Sequence, residues 1–247
     1  MDFIPKLFAK NELIVAFLVV GLIMFISVLV SKHLLRNKIP GAAVAITMGL
    51  ILAYFGGKKG IADFPLFAGM AFLGGSMMRD FSIVSTAMGA SLSEIKKTGW
   101  VGILSLFIGI AVAFFVGGSI GYAMGYRDIK TVATIGAGAC TFIVGPVTGA
   151  ALGASSDIIA ISIAIGVIKT VVVTILTPLI AKRIGLDNPQ TAMIYGGLIG
   201  TTSGVAAGLA ATDPKLVPYG ALTATFYTGL ACMLCPSLCY FILSLFI

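Results

Sequence analysis

The sequence predicts an all-α integral membrane protein: one polytopic transmembrane domain over residues 1–247, with about eight apolar segments. Two of those segments are Gly-rich discontinuous or re-entrant helices forming a repeat-related pair. Three observations lead there. Hydrophobic residues make up 59% of the chain and charged residues only 10%. Several apolar runs exceed the ~18 residues that mark a spanning helix. The second half carries two glycine-rich stretches of the same plan. A soluble domain of this composition would leave too much apolar surface in water.

The elements follow in order. Residues 13–30 form an uncharged apolar run preceded by Lys6 and Lys10. It is too long for the apolar core of a signal peptide and lacks a small-residue cleavage site, so it reads as a permanent first helix. A shorter span, 40–55, starts at Pro40, a residue suited to a helix's first turn. Residues 64–90 are apolar but interrupted by Arg79-Asp80, which read as a water-facing pair at a helix end. The span 99–125 is flanked by Trp100 and Tyr126, as interfacial aromatics would flank it. The spans 158–180 and 217–246 each carry a late proline, Pro178 and Pro236. Loops are short. Lys32, Arg36 and Lys38 make the first loop the best cytoplasmic candidate, but Lys58-Lys59 fall on the opposite side, so orientation stays open.

The net charge of +7 is scattered over these loops as membrane-flanking Lys and Arg rather than gathered into a nucleic-acid-binding face. Cys140, Cys232, Cys235 and Cys239 lie within apolar stretches. With His33 the sole histidine and remote in sequence, they read as small thiols packed between helices, not a zinc site.

The two glycine-rich segments carry most of the information. One runs from Gly136 through Thr141, Gly145-Pro146, Thr148-Gly149 and Gly153 to Ser155-Ser156-Asp157. The other runs from Gly196 through Gly200-Thr201-Thr202-Ser203-Gly204 and Gly208 to Thr212-Asp213-Pro214. Each has a hydroxyl–glycine centre and a hydroxyl–aspartate end, and each leads into a long apolar helix. The repeat-like units are about 134–185 and 193–246. Spacing such as Gly145-x-x-x-Gly149-x-x-x-Gly153 also serves close helix packing. The proline and the clustered hydroxyls add a second meaning, because broken helices at matching places in a repeat point to a transporter's binding site. Breaks are expected around Gly145-Pro146 and Thr202–Gly204, facing one another near the membrane midplane. A segment that crosses makes the two units parallel; one that re-enters makes them inverted.

Candidate substrate contacts are Thr148, Gly149, Lys169, Thr201, Thr202, Ser203 and Gly204. Candidate sodium ligands are Thr141, Ser155, Ser156, Asp157, Thr212 and Asp213, since hydroxyls, carboxylates and freed carbonyls are hard oxygen donors. Asp157 and Asp213 also suit helix N-caps, with Asp213-Pro214 a cap followed by proline at the first helical position. Lys169 lies near the middle of an apolar helix, where a lone ammonium costs several kcal/mol unless satisfied. It pairs with Asp157 or Asp213, or it binds an anion. No catalytic motif is present, neither a G-x-S-x-G elbow, a phosphate loop nor H-E-x-x-H, so the chain reads as a non-enzyme without an ATP site.

At these residues the chain resembles a known family. The run from Gly200 to Leu230, with Ile143-Val-Gly-Pro-Val-Thr-Gly149, Gly153-Ala-Ser-Ser-Asp157, Ala53-Tyr-Phe-Gly-Gly57 and Arg79-Asp80-Phe81, is similar to the malonate/sodium symporter M subunit (MadM) family. The resemblance covers nearly the whole chain. It implies a multi-pass protein of the bacterial inner membrane that works with a smaller L subunit to import malonate with sodium, with no cofactor beyond that coupling ion and no nucleic-acid partner. The resemblance assigns no residue a role. Two other classes stay in view, a sodium-conducting pore subunit and a scaffold whose partner carries the site.

Overall fold

A computed structural model describes residues 11–36, 39, 41–56, 61–70, 88 and 91–246. Every regular element among them is helical. Among the described residues, four helices are long and apolar enough to cross a membrane: Glu12–Leu34, Lys96–Ala123, Ser156–Ile180 and Pro214–Leu243. Arg79-Asp80 and most of the segment 64–90 lie outside the described residues.

The chain divides into two compact units, Met1–Ser85 and Thr86–Ile247. In the first, α1 (Glu12–Leu29) ends in a π turn, Val30–Leu34, and is followed by α2 (Gly41–Tyr54). The start of α2 lies close on α1, since a Cβ at Gly41 would stand 3.0 Å from the Val28 side chain. Ser27 Oγ donates to Met48 Sδ at 3.3 Å, and Ser31 Oγ donates to Ile39 O. Large apolar side chains such as Phe17 and Phe25 are exposed along α1, which suits a lipid-facing helix.

The second unit holds α3 (Leu92–Ala123), α4 (Ile129–Cys140), α5 (Val144–Leu152), α6 (Ser156–Ile180), α7 (Pro189–Ile199), α8 (Thr202–Ala210) and α9 (Val217–Leu234). The last continues through a π turn at Cys235–Cys239, where Pro236 lacks an N–H for the ladder, into Tyr240–Leu243. α3 is bent at Gly99, whose φ of 53° and ψ of −140° are open only to glycine. Asp128 caps α4, accepting from Thr131 N at 2.9 Å and Thr131 Oγ1 at 2.8 Å. These bonds hold its carboxyl below the usual aspartate range. Asn188 and Thr191 form a reciprocal capping box at the start of α7, with Pro189 in the first turn.

Small residues set the packing directions. α4 runs antiparallel to the second half of α3: Gly118 faces Val132, Gly121 faces Ile135, and Gly117 faces Gly136 and Ala139. α5 doubles back on α4, with Gly145 against Gly138 and Gly149 against Thr134. α6 crosses this hairpin at Ser162, which touches both Gly138 and Gly145. α7 runs parallel to the first half of α3, from Thr98 beside Met193 to Gly109 beside Gly197 and Leu198. α8 then returns alongside α6, Gly204 meeting Val173 and Gly208 meeting Thr177. Gly220 of α9 is flanked by Ala192 of α7 and Val205 of α8. Two helix–break–helix hairpins therefore enter from opposite ends of α3. Their turning points meet it at one level: Cys140 Sγ reaches Ile110 O at 3.8 Å, and Tyr227, packed on the second break, donates to Gly109 O at 3.2 Å.

The breaks differ from the expected positions. The first lies at Thr141–Ile143, not at Gly145-Pro146, which sit within the first turn of α5. A proline there removes an N–H that has no intrahelical partner anyway. The second lies at Gly200–Thr201, ahead of Thr202–Gly204, which begin α8.

Candidate functional site

Four backbone groups at the first break are satisfied by side chains. Thr141 is extended, with φ −156° and ψ 160°, so the ladder of α4 stops at Cys140. In an unbroken helix the N–H groups of Ile143 and Val144 would bond the carbonyls of Ala139 and Cys140. Instead both donate to Thr141 Oγ1, each at 3.2 Å. The two carbonyls accept from Lys169 Nζ, each at 2.9 Å. Thr141 thus caps the incoming helix end of α5 and Lys169 caps the outgoing end of α4. An ammonium at a helix C-terminus also meets the negative pole of the helix dipole. Left unpaired inside a membrane, each of these backbone groups would cost several kcal/mol.

The second break is built differently. Gly200 is left-handed, φ 80°, and the Tyr227 ring lies where its Cβ would be. Thr201 does not cap α8 with its side chain. Its hydroxyl bonds Thr170 Oγ1 at 2.7 Å, and Thr170 donates in turn to Gly166 O at 3.0 Å, so Thr201 is the donor between the two hydroxyls. The first turn of α8 therefore presents the positive end of its dipole without a side-chain cap from Thr201, beside half-buried Thr202 and exposed Ser203.

One turn of α6 reads both breaks. Gly166 lies against the backbone of the first: a Cβ there would collide with Phe142 and stand 2.7 Å from Thr141 C. Lys169 holds the same break, and Thr170 holds the second. Tyr227 of α9 joins them from the other side, its ring 5.7 Å from Lys169 Nζ and packed on Gly200. Sequence reasoning missed Gly166, Thr170 and Tyr227. Their only signal was position, Gly166 and Thr170 flanking Lys169 at helical spacing.

The other predicted residues divide clearly. Gly149 and Gly204 pack backbones closely, against Thr134 and Ile159 and against Thr170 O and Val173. Thr148 is fully buried, and its hydroxyl has no hydrogen-bond partner. It shares a helix face with Val144 and Leu152, which meet the core containing Tyr227 and Cys235.

The expected sodium set is not brought together. Thr141 stands at the first break. Ser155, Ser156 and Asp157 are exposed at the start of α6. Thr212 and Asp213 follow α8, which runs toward the far end of α6, and Thr212 Oγ1 donates to Gly208 O. The two acidic corners are separated by most of a 25-residue helix. Asp213 is an N-cap, accepting from Lys215 N at 3.0 Å, and Asp157 sits in the first turn of α6.

The expected ion pair with Lys169 is likewise absent. Asp157 lies twelve residues, about 18 Å, away on the same helix, and the described salt bridge is Lys97 with Glu94. Carbonyl dipoles satisfy the lysine where a carboxylate was anticipated. Cys140 and Cys235 face each other as free thiols, Sγ to Sγ 3.9 Å, consistent with packing between helices.

Four helices apolar enough to cross a membrane, with broken helices whose turning points share one turn of a third, are consistent with a multi-pass membrane protein of the transporter class. The chain belongs to the malonate/sodium symporter MadM subunit family, whose model matches residues 4–247. It is thus a transporter subunit, and the family is not one of enzymes. No curated protein and no solved structure matches the chain.

Proposed function

We propose that this subunit, with a smaller L subunit in the bacterial inner membrane, imports malonate together with sodium. The two hairpins are re-entrant and related as an inverted repeat, units of about 134–185 and 193–246, each a broken hairpin followed by a long helix. The observation carrying this reading is Lys169: an ammonium on the broken end of α4, one residue from the hydroxyl relay to Thr201. Malonate is a small dianion. One carboxylate is taken by Lys169, the other by the α8 N-terminus with Thr202 and Ser203. Sodium offsets the remaining charge. Thr201 and Gly204 shape this end, and Thr148 offers an unused buried hydroxyl nearby on the first hairpin.

The decisive experiment is malonate uptake into vesicles holding this chain, its L subunit, or both. Sodium-dependent, saturable uptake by the pair is expected. Sodium current without saturable malonate binding would instead establish a pore subunit, and full activity of the L subunit alone would make this chain a scaffold. Within the pair, Lys169→Gln should raise the malonate half-saturation. A normally folded Lys169→Gln protein with unchanged malonate affinity would remove the lysine from the site.

A further inference from the structure

We propose that the carbonyls of Ala139 and Cys140 are a sodium subsite that the Lys169 ammonium and the sodium ion occupy in turn. The inference rests on the reading above and deepens it by naming where the coupling ion binds and what couples it. The break at Thr141 turns two adjacent carbonyl oxygens away from the helix ladder, because the N–H groups that would have taken them are held by Thr141 Oγ1. Both oxygens converge on a single cationic atom at 2.9 Å. Two convergent carbonyl oxygens at a half-helix C-terminus are the donors that secondary transporters use for sodium, and an ammonium is the group that mimics a small cation there.

The lysine has a second place to go. Its stem is a flexible four-carbon chain. The Tyr227 ring, 5.7 Å from Nζ, lies between it and Gly200 at the second break. A cation is attracted to that ring face, so the path toward the α8 N-terminus is favourable for charge. A carboxylate bound at α8 draws the ammonium off the α4 carbonyls and leaves them to sodium. Sodium without malonate must compete with a tethered cation. Malonate without sodium leaves the carbonyls uncompensated when the lysine departs. Charge closes only when both are present: two negative on malonate, one positive on Lys169, one on sodium. Each ligand therefore tightens the other by the same factor.

The test measures sodium binding to the purified two-subunit protein, with and without malonate, in wild type, Lys169→Gln, Lys169→Met and Lys169→Arg. Without malonate, the Gln and Met proteins should bind sodium about tenfold more tightly than wild type. Malonate should no longer tighten it, and the Arg protein, which keeps the charge, should stay weak. Sodium binding in the Gln and Met proteins that equals or falls below wild type overturns the proposal. So does failure of both to fold, which would make the lysine a structural cap. Either result leaves the symport reading intact if wild-type uptake still requires sodium, whereas sodium-independent uptake by wild type would bring down that reading itself.

Discussion

Replacing Thr141 with valine keeps the shape of the side chain and removes the oxygen that receives two backbone N–H groups. Thr141 is buried, 2% exposed, so water cannot take its place. A lost threonine cap costs ~1 kcal/mol, up to ~2, and a stranded buried donor ~1–3 kcal/mol. The two bonds here are 3.2 Å, at the long end for N–H···O, which places each near the low end of that range. The sum is about 2 kcal/mol, roughly a 30-fold loss in the population of the formed break. For a unit of this size, that corresponds to a thermal midpoint lower by about 4–8 °C. Thr141→Ser restores the oxygen and should lose only the ~0.8 kcal/mol of one buried methyl, well short of the valine variant. The assay is the thermal midpoint of detergent-solubilised protein, read as loss of the monodisperse species. A Thr141→Val protein as stable as wild type would show that the two N–H groups find other partners and that Thr141 does not shape the break.

Three further outcomes are expected. Gly166→Ala should drive a methyl into the Phe142 backbone, lowering stability by ~1–3 kcal/mol and abolishing uptake, while Gly229→Ala, with nothing within 4 Å of its Cβ, serves as a neutral control measured alongside. Ser203→Ala should weaken malonate affinity at normal yield, whereas Thr201→Ala should break the relay to Thr170 and cost ~1 kcal/mol of stability; wild-type malonate and sodium dependence in Ser203→Ala would remove it from the site. Asp128→Ala should cost about 1 kcal/mol at neutral pH. Because hydrogen bonds to Thr131 depress the folded-state pKa of Asp128, its contribution is fully present above the ordinary aspartate value and is lost as pH falls from there through the lower folded-state value. The midpoint gap between wild type and variant should therefore shrink below about pH 4.

The membrane class was legible because composition carries it directly, and the glycine-rich spacing pointed to an interrupted helix in each segment. The break positions were not legible. Gly145-Pro146 looks like an interruption, yet a first-turn proline leaves no N–H bond to lose, and Gly145 is there to let Gly138 and Ser162 approach. The true first break, Thr141-Phe142-Ile143, contains no residue that disfavours helix strongly. It is stabilised by Lys169, which bonds the carbonyl of Cys140 from 29 residues further along the chain, and local sequence cannot reveal that. The lysine itself stood out, and of its two readings the ion pair is the one the structure replaces, with carbonyls. Asp157 and Asp213 are the obvious countercharges by chemistry, and only the fold shows that carbonyls at a helix end are nearer. Gly166 escaped notice because a glycine in an apolar helix has many uses, and which backbone lies against it is a tertiary fact.

The bend at Gly99 works as a depth gauge. An unbent helix of 32 residues would measure ~48 Å, well beyond a ~30 Å hydrocarbon core. Bending at Gly99 lets residues 92–98, with Glu94 and Lys97 paired, lie along the surface, while Trp100, 82% exposed, marks the waterline. Thr98 bonds Met193, so the middle of α7 lies level with that same mark. Seven residues later, ~10 Å down at helical rise, the chain turns at Gly200. Along α3, Gly109 lies nine residues past Trp100, ~13 Å below the waterline. Taking exposed Trp100 as the interface, the two counts put the turning points ~10–13 Å inward along helices set in a ~30 Å hydrocarbon core. A depth of that order is where secondary transporters hold a site that opens to either aqueous face in turn.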